Sequence, residues 1–214
     1  MPAHAERSPV DARRAWWLRA LLVAQAPWAV FTALRDESGD AADERQEPIT
    51  VIAFLVGVAL TVISPTASSF ADDPARAGIV IPVWLFIAGL FVALFNYWIG
   101  GGALFLALNL LGGEGSYRRA RHLLALAAVP LTLLLVLLLV RLALYGGDIF
   151  RSGGSDGGTH VFTGFEAALG LWSIVLLAVG IRAVERWSWR RTLAAVAAFA
   201  GLALLADLAL QLFG

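Results

Sequence analysis

The stretch Leu110–Arg119, LLGGEGSYRR, decides how the rest of the chain is read. It lies between two long apolar runs and gathers three glycines, a glutamate, a serine and a pair of arginines within ten residues. Such a loop either cradles a phosphate or turns the chain between two helices. A P-loop needs a Lys followed by Ser or Thr, and this chain contains no Lys. A dinucleotide loop needs a strand before it and a βαβ unit around it, and no such unit flanks this one. The turn reading accounts for the residues one by one. Gly112 and Gly113 can take the left-handed conformation that ends a helix, and Gly115 continues the same turn. Ser116 can cap the next helix. Arg118, Arg119 and Arg121 hold the turn at an aqueous face, despite a mildly unfavourable dipole term at a helix N-terminus.

Composition says what kind of solvent surrounds those runs. The chain has 214 residues, is 59% hydrophobic and has a mean hydropathy of +0.77, whereas soluble domains sit near ~45–50% apolar. Its formal net charge is zero, which leaves no bulk electrostatic footprint for nucleic acid. Cysteine is absent, which removes disulfides, thiol catalysis and Cys-based metal sites. All 16 basic residues are Arg, and Ala, Leu and Gly abound, as in a high-GC bacterial genome. The first 48 residues are polar or amphipathic and show no small-residue cleavage site after the Trp16–Trp17 patch, so the chain reads as a mature integral membrane protein.

A helical span needs roughly 20 apolar residues, and five candidates are present. They are Ile49–Ser64 (stopped by Pro65), Ile79–Leu111, Leu123–Tyr145, Val161–Ile181 and Leu193–Phe213. The connections 65–78, 112–122, 146–160 and 182–192 carry the Gly, Ser, Asp, Pro and Arg expected of aqueous turns. With the N-terminus inside, thirteen arginines fall on inner segments: Arg7, Arg13, Arg14, Arg19, Arg35, Arg45, Arg118, Arg119, Arg121, Arg182, Arg186, Arg190 and Arg191. Only Arg76 and Arg151 fall outside. The positive-inside rule therefore predicts a cytoplasmic N-terminus and an external C-terminus.

The second run has 33 residues, about 50 Å of helix at ~1.5 Å per residue, more than a ~30 Å hydrocarbon core accepts. The stretch Ile99–Ala103, IGGGA, marks an inner boundary or kink near residue 102. The remainder to Leu111 is expected to form a cytoplasmic helical hairpin with Tyr117–Val129, ahead of Pro130. An aromatic, Arg-rich segment, Ala15–Leu34, broken at Pro27, reads as an interfacial amphipathic helix anchored by Trp16, Trp17 and Trp28, its Trp and Leu residues packed against that hairpin or the inner leaflet. Asp36–Glu47 reads as a solvated, mobile acidic linker. The expected fold is thus an all-α integral membrane protein. Residues 1–48 form a cytoplasmic tail with its interfacial helix, and residues 49–214 form a five-span domain.

Three stretches resemble the bacterial branch of the Yip family, named for the Ypt/Rab-interacting membrane proteins of eukaryotes. QAPWAVFTALRDE with EPITVIAFLVGV is similar to the family's Pro-aromatic interfacial helix, acidic linker and first span. GGGALFLALNLLGGEGSYRRARHLLALAAVP resembles its second-span end, its GG-x-G-S-aromatic-R turn and the following Pro-terminated helix. LWSIVLLAVGIRAVERWSWRRTLAAV resembles its fourth span and turn. The resemblance covers roughly residues 20–210 and implies five spans with a cytoplasmic N-terminus. It does not carry over Rab binding, because the long N-terminal domain and the DLYGP-type segment of eukaryotic members have no counterpart here. Some bacterial members act alongside ABC-type exporters, which is the partner class the resemblance implies.

No constellation in the sequence points to catalysis or to a cofactor or metal. His4, His122 and His160 fall in the tail, inside and outside respectively. There is no HExxH and no paired-carboxylate helix, and Ser64, Ser68, Ser69 and Ser173 have no Lys or His nearby in sequence. Asn96 is expected to make an interhelical hydrogen bond, and Gly57, Gly89, Gly170, Gly180 and Gly201 to permit close helix approach. The sharper signal is intramembrane charge: Arg141, Glu166 and Asp207 fall at similar depth on three spans, where each charge costs about 2.5–3.5 kcal/mol at a helix centre. Arg141 is expected to pair with Glu166, Asp207 or both. Two functions follow as expectations. One is a non-enzymatic scaffold or accessory subunit, with the bilayer, other membrane proteins or its own copies as partners. The other is a small transporter or ion conduit through the three charges.

Overall fold

A computed structural model describes residues 9–64, 80–146 and 159–213, and the side chains of 16–64, 83–146, 161–206 and 208. Outside these fall His4, Arg7, Arg76 and Arg151, and the side chains of Arg13, Arg14, His160 and Asp207. Every element among the described residues is helical. The chain starts with α1 (Pro9–Leu22) and α2 (Pro27–Thr32), the latter opened by Pro27 and continued by a 3-10 turn, Ala33–Arg35. Next comes α3 (Gly39–Val62). The second apolar run is α4 (Val80–Leu94), a π-helical segment (Phe95–Gly100) and α5 (Gly101–Leu110), all continuous. Then come α6 (Tyr117–Ala127), a 3-10 turn (Val129–Thr132) and α7 (Leu133–Tyr145). The chain ends in α8 (Thr159–Glu185) and α9 (Trp189–Phe213).

Four helical stretches are long and apolar enough to cross a membrane: Gly39–Val62, Val83–Leu110, Val161–Glu185 and Trp189–Ala206. Together α6 and α7 make a fifth, bent by 47° at the intervening turn. Pro130 lies in that turn, and its missing N–H and fixed ring break the ladder there.

One expectation needs correction. The acidic stretch 39–47 is not an irregular linker but the first turns of α3, although Asp40 and Asp43 are exposed. Ser38 caps that helix, accepting from the Ala41 N–H at 3.4 Å, and Asp40 stands in its first turn, where the dipole favours an acid. Burial of Ala42 and Arg45 holds this part of the helix in place. The second run continues as helix through the glycines after Ile99 to Leu110, with a π-helical segment that ends at Gly100. Gly101 lets α6 approach, since a Cβ there would stand 2.3 Å from Arg121 Cγ.

The packed core lies toward one end of the bundle, where α2, α5, α6, the first half of α3 and the end of α8 meet. Phe31, Leu34, Ile49, Leu104, Leu126 and Ile181 are fully buried there. At the other end the spans expose Phe86, Leu139, Leu171 and Leu204, as lipid-facing helices do. Of the expected close contacts, α3 and α4 cross at Gly57 and Gly89, and α8 receives the Phe31 ring over Gly180. Gly170 and Gly201 face nothing within 4 Å, and so do not mediate close approach among the described residues. A Cβ on Gly57 would lie 2.4 Å from the Gly89 carbonyl oxygen, a backbone atom that cannot yield alone. Gly57→Ala should therefore lower stability by about 1–3 kcal/mol, read as melting in detergent. Gly164→Ala, which meets nothing within 4 Å, should be neutral or slightly stabilising.

Candidate functional site

The turn between α5 and α6 is built as a helix stop followed by a helix start. The Gly113 N–H donates to the Leu108 carbonyl at 2.8 Å and the Gly112 N–H to the Asn109 carbonyl at 2.9 Å, the paired bonds of a Schellman motif. Gly112 has φ +76°, which a side chain would strain. Arg191, from the first turn of α9, lays its guanidinium over Trp187 at 4.0 Å. From there its Nε donates to the Leu111 carbonyl at 2.9 Å, and its Nη2 donates to the Gly112 carbonyl at 3.1 Å. Ser116 Oγ then accepts from the Arg119 N–H at 3.1 Å and starts α6. The N–H groups of Gly112, Gly113 and Arg119 are thus spent on the turn.

Behind it, α3 and α6 are joined by a buried polar chain. Arg45 is 1% exposed and His122 0%. Arg45 Nε donates to His122 Nδ1 at 3.0 Å, and Arg45 Nη1 donates to the Asp36 carbonyl at 2.7 Å. His122 Nε2 lies 3.2 Å from Gln46 Oε1. Gln46 Nε2 reaches Thr50 Oγ1 at 3.0 Å and the Tyr97 hydroxyl at 3.4 Å. Because Nδ1 accepts from Arg45, the imidazole is neutral with its proton on Nε2, donated to Gln46. Both ring nitrogens are engaged, so His122 is not placed to act as a general base.

A second set of charges ties three more segments to the same end. Arg119 Nη2 contacts Glu185 Oε1 at 3.2 Å and Arg119 Nε lies 3.7 Å from Glu37 Oε1. Glu37 also accepts from the Ser116 N–H at 3.3 Å and from the Ser116 hydroxyl. Arg35 donates to the Ala183 carbonyl at the end of α8. Arg121 differs from these. It is 9% exposed and makes no hydrogen bond or ion pair among the described residues. Its guanidinium carbon lies 3.9 Å from the Trp98 ring centre, 4.7 Å from Tyr117 and 5.0 Å from Tyr97. Each such contact is worth about 0.5–2 kcal/mol, against several for the desolvation of a buried charge.

The other residues singled out in the sequence fall apart from this end or on its rim. Trp16 is buried, under the guanidinia of Arg19 and Arg45 at 5.1 and 5.9 Å. It is a core residue and not an exposed anchor. Trp17 is half-buried, and Trp28 is 51% exposed beside Leu18, Leu21 and Leu22, which are also exposed. Asn96 bonds within its own helix, to the Val92 carbonyl at 3.0 Å, and not across helices; a polar residue on an exposed face satisfies itself on the preceding turn. Arg141 Nη1 meets Glu166 Oε1 at 3.3 Å, with Arg141 also 5.2 Å over Phe162. The cavity beside that pair is only about 30 Å³. The Asp207 side chain lies outside the described residues. Among the described residues no three His, Asp or Glu stand together as metal ligands.

A chain of apolar helices bundled around one charged, hydrogen-bonded end is a polytopic membrane protein. It belongs to the Yip1 domain family, which matches residues 28–210. No curated protein and no solved structure matches the chain.

The polar chain through Arg45 and His122 was missed in the sequence, although a signal for it exists. Arg45 stands in register with Ala42, Ile49, Ile52 and Val56, all buried. A charge inside the apolar stripe of a helix points inward with the stripe.

Proposed function

We propose that this protein is a non-enzymatic scaffold or accessory subunit for other membrane proteins, in a bacterial cytoplasmic membrane. An ABC-type exporter is the partner class the resemblance suggests. In this reading the N-terminal 48 residues and the turn between α5 and α6 face the cytoplasm. Five spans, with α6–α7 counted as one bent crossing, then put the C-terminus outside. The arginine asymmetry supports that orientation.

The observation that carries the proposal is the fate of the polar groups. Arg35, Arg45, Arg119 and Arg191 each tie one helix or turn to another, and His122 has no free nitrogen. These groups serve architecture. Meanwhile α5 turns Leu106 and Leu110 outward, 47% and 70% exposed, beside a turn made rigid from both sides. A rigid end with an apolar flank suits docking against another membrane protein. The conduit reading would need an open aqueous route to Arg141 and Glu166, and the small cavity at that pair favours a structural role.

Cross-linking of the full chain in its native membrane, followed by mass spectrometry, tests the proposal. One integral membrane partner should be recovered reproducibly. Leu110→Arg should cut its recovery at least about fivefold without altering melting, since a charge at an apolar contact is strongly disfavoured. Proteoliposomes carrying the protein should leak ions no faster than empty vesicles. Flux that Glu166→Gln abolishes would replace the scaffold with the conduit.

A further inference from the structure

Beside Arg121 opens a cavity of about 470 Å³ lined by Glu37, Arg45, Ser116, Tyr117, Arg118 and Arg121. It sits at the first turn of α6, where the helix dipole is positive. Several of its polar groups are already committed. Arg45 is held by His122 and the Asp36 carbonyl. Glu37 is held by Ser116 and Arg119. Arg118 is exposed and Arg121 is buried among aromatic rings, and neither meets a carboxylate among the described residues. The cavity therefore presents two uncompensated guanidinia. One of them has a buried Nε without a partner, so the demand for an anion is built into the fold and is not a property of mobile surface charge.

The apolar side of the same place indicates where that anion comes from. Trp98, which stacks on Arg121, also lines a groove of about 690 Å³ with Phe91, Leu94, Phe95 and Ile99. All five side chains are exposed on the outer face of a membrane-crossing helix. A tryptophan between a cationic cavity and an apolar groove occupies the position where aromatic residues mark the headgroup level of a bilayer. We propose that Arg118 and Arg121 bind the phosphate of one anionic phospholipid, whose acyl chain lies along the Phe91–Ile99 groove. Arg suits the headgroup because its planar fork donates two parallel hydrogen bonds to phosphate oxygens. Basic pockets at the cytoplasmic ends of membrane helices recognise such headgroups. The choline of a zwitterionic lipid would bring a third cation to a place that already holds two. This inference uses only the membrane placement and stands apart from the scaffold proposal.

The test uses the full chain in a neutral detergent, with native mass spectrometry for stoichiometry and thermal melting for affinity. Dioleoyl phosphatidylglycerol, dioleoyl phosphatidylcholine and inorganic phosphate are titrated separately. Phosphatidylglycerol should be retained as a single saturable adduct and bind at least about tenfold more tightly than phosphatidylcholine, the scale of one charge-assisted bond. Arg118→Gln should weaken phosphatidylglycerol about tenfold while leaving the lipid-free melting temperature unchanged, because Arg118 is exposed. Arg121→Gln should abolish the preference. If that variant fails to fold, Arg118→Gln alone decides. Equal affinity for the two lipids, an unsaturable series of adducts, or an unchanged affinity in Arg118→Gln would overturn the proposal. Inorganic phosphate protecting as well as phosphatidylglycerol would show a free-phosphate site and overturn the lipid assignment.

Discussion

A guanidinium that cannot reach water must find its acceptors inside the protein, and Arg45 imposes that constraint here. It lies on the buried stripe of α3 with no measurable freedom to snorkel, at 1% exposure. Its acceptors come from two other places, the His122 imidazole on α6 and the Asp36 carbonyl ahead of α3. Stranding such a charge costs about 3–5 kcal/mol. The positions of α6 and of the chain entering α3 are therefore not independent choices. Once α6 is held, Ser116 and the Gly112–Gly113 stop set its start, and Arg119 reaches Glu185 at the end of α8. Arg191 closes the circle from α9 onto the Leu111 carbonyl.

This arrangement explains why a Gly-rich, Arg-rich turn looks like a ligand loop and is built as a joint. The N–H groups of Gly112 and Gly113 are spent on the helix stop, and that of Ser116 on the Glu37 carboxylate. Uncompensated side-chain charge stands to one side of the turn, on Arg118 and Arg121. The division between structural and available charge runs through a single helix turn. Arg119 pairs inward with Glu185, while Arg118 and Arg121 line the cavity. The same economy bears on the proposed scaffold role, since a partner would meet a joint fixed from several directions.

Much of this was legible in the sequence, and the parts that were not have physical causes. The apolar runs and the arginine asymmetry gave the helical membrane class, because the bilayer demands long, internally bonded segments. The α5–α6 turn was readable from Gly112 and Ser116, whose roles depend on local backbone geometry. The acidic stretch before Pro48 reads as a linker because its acids are solvated, and only Ala42 and Arg45, facing inward, tie it to the bundle as helix. Long-range pairing was the harder part. Arg45 and His122 are 77 residues apart, and nothing local to either announces the other. Trp16 reads as an interfacial anchor because an amphipathic segment alone does not say whether its apolar face meets lipid or protein. Arg141 and Glu166 were the exception: intramembrane charge is costly enough that depth alone suggested a partner.

The bond between Arg45 and His122 is measured most directly by a double-mutant cycle. The variants are His122→Leu, Arg45→Met and the pair together, with unfolding followed in detergent at pH 7.5. His122→Leu alone should cost about 3–5 kcal/mol because it strands the buried guanidinium. Adding Arg45→Met should recover a large part of that loss, a coupling of at least about 1.5 kcal/mol between the two sites. If the two losses instead add, and His122→Leu costs no more than an ordinary surface change, then the buried pair does not hold the helices together and the account is wrong.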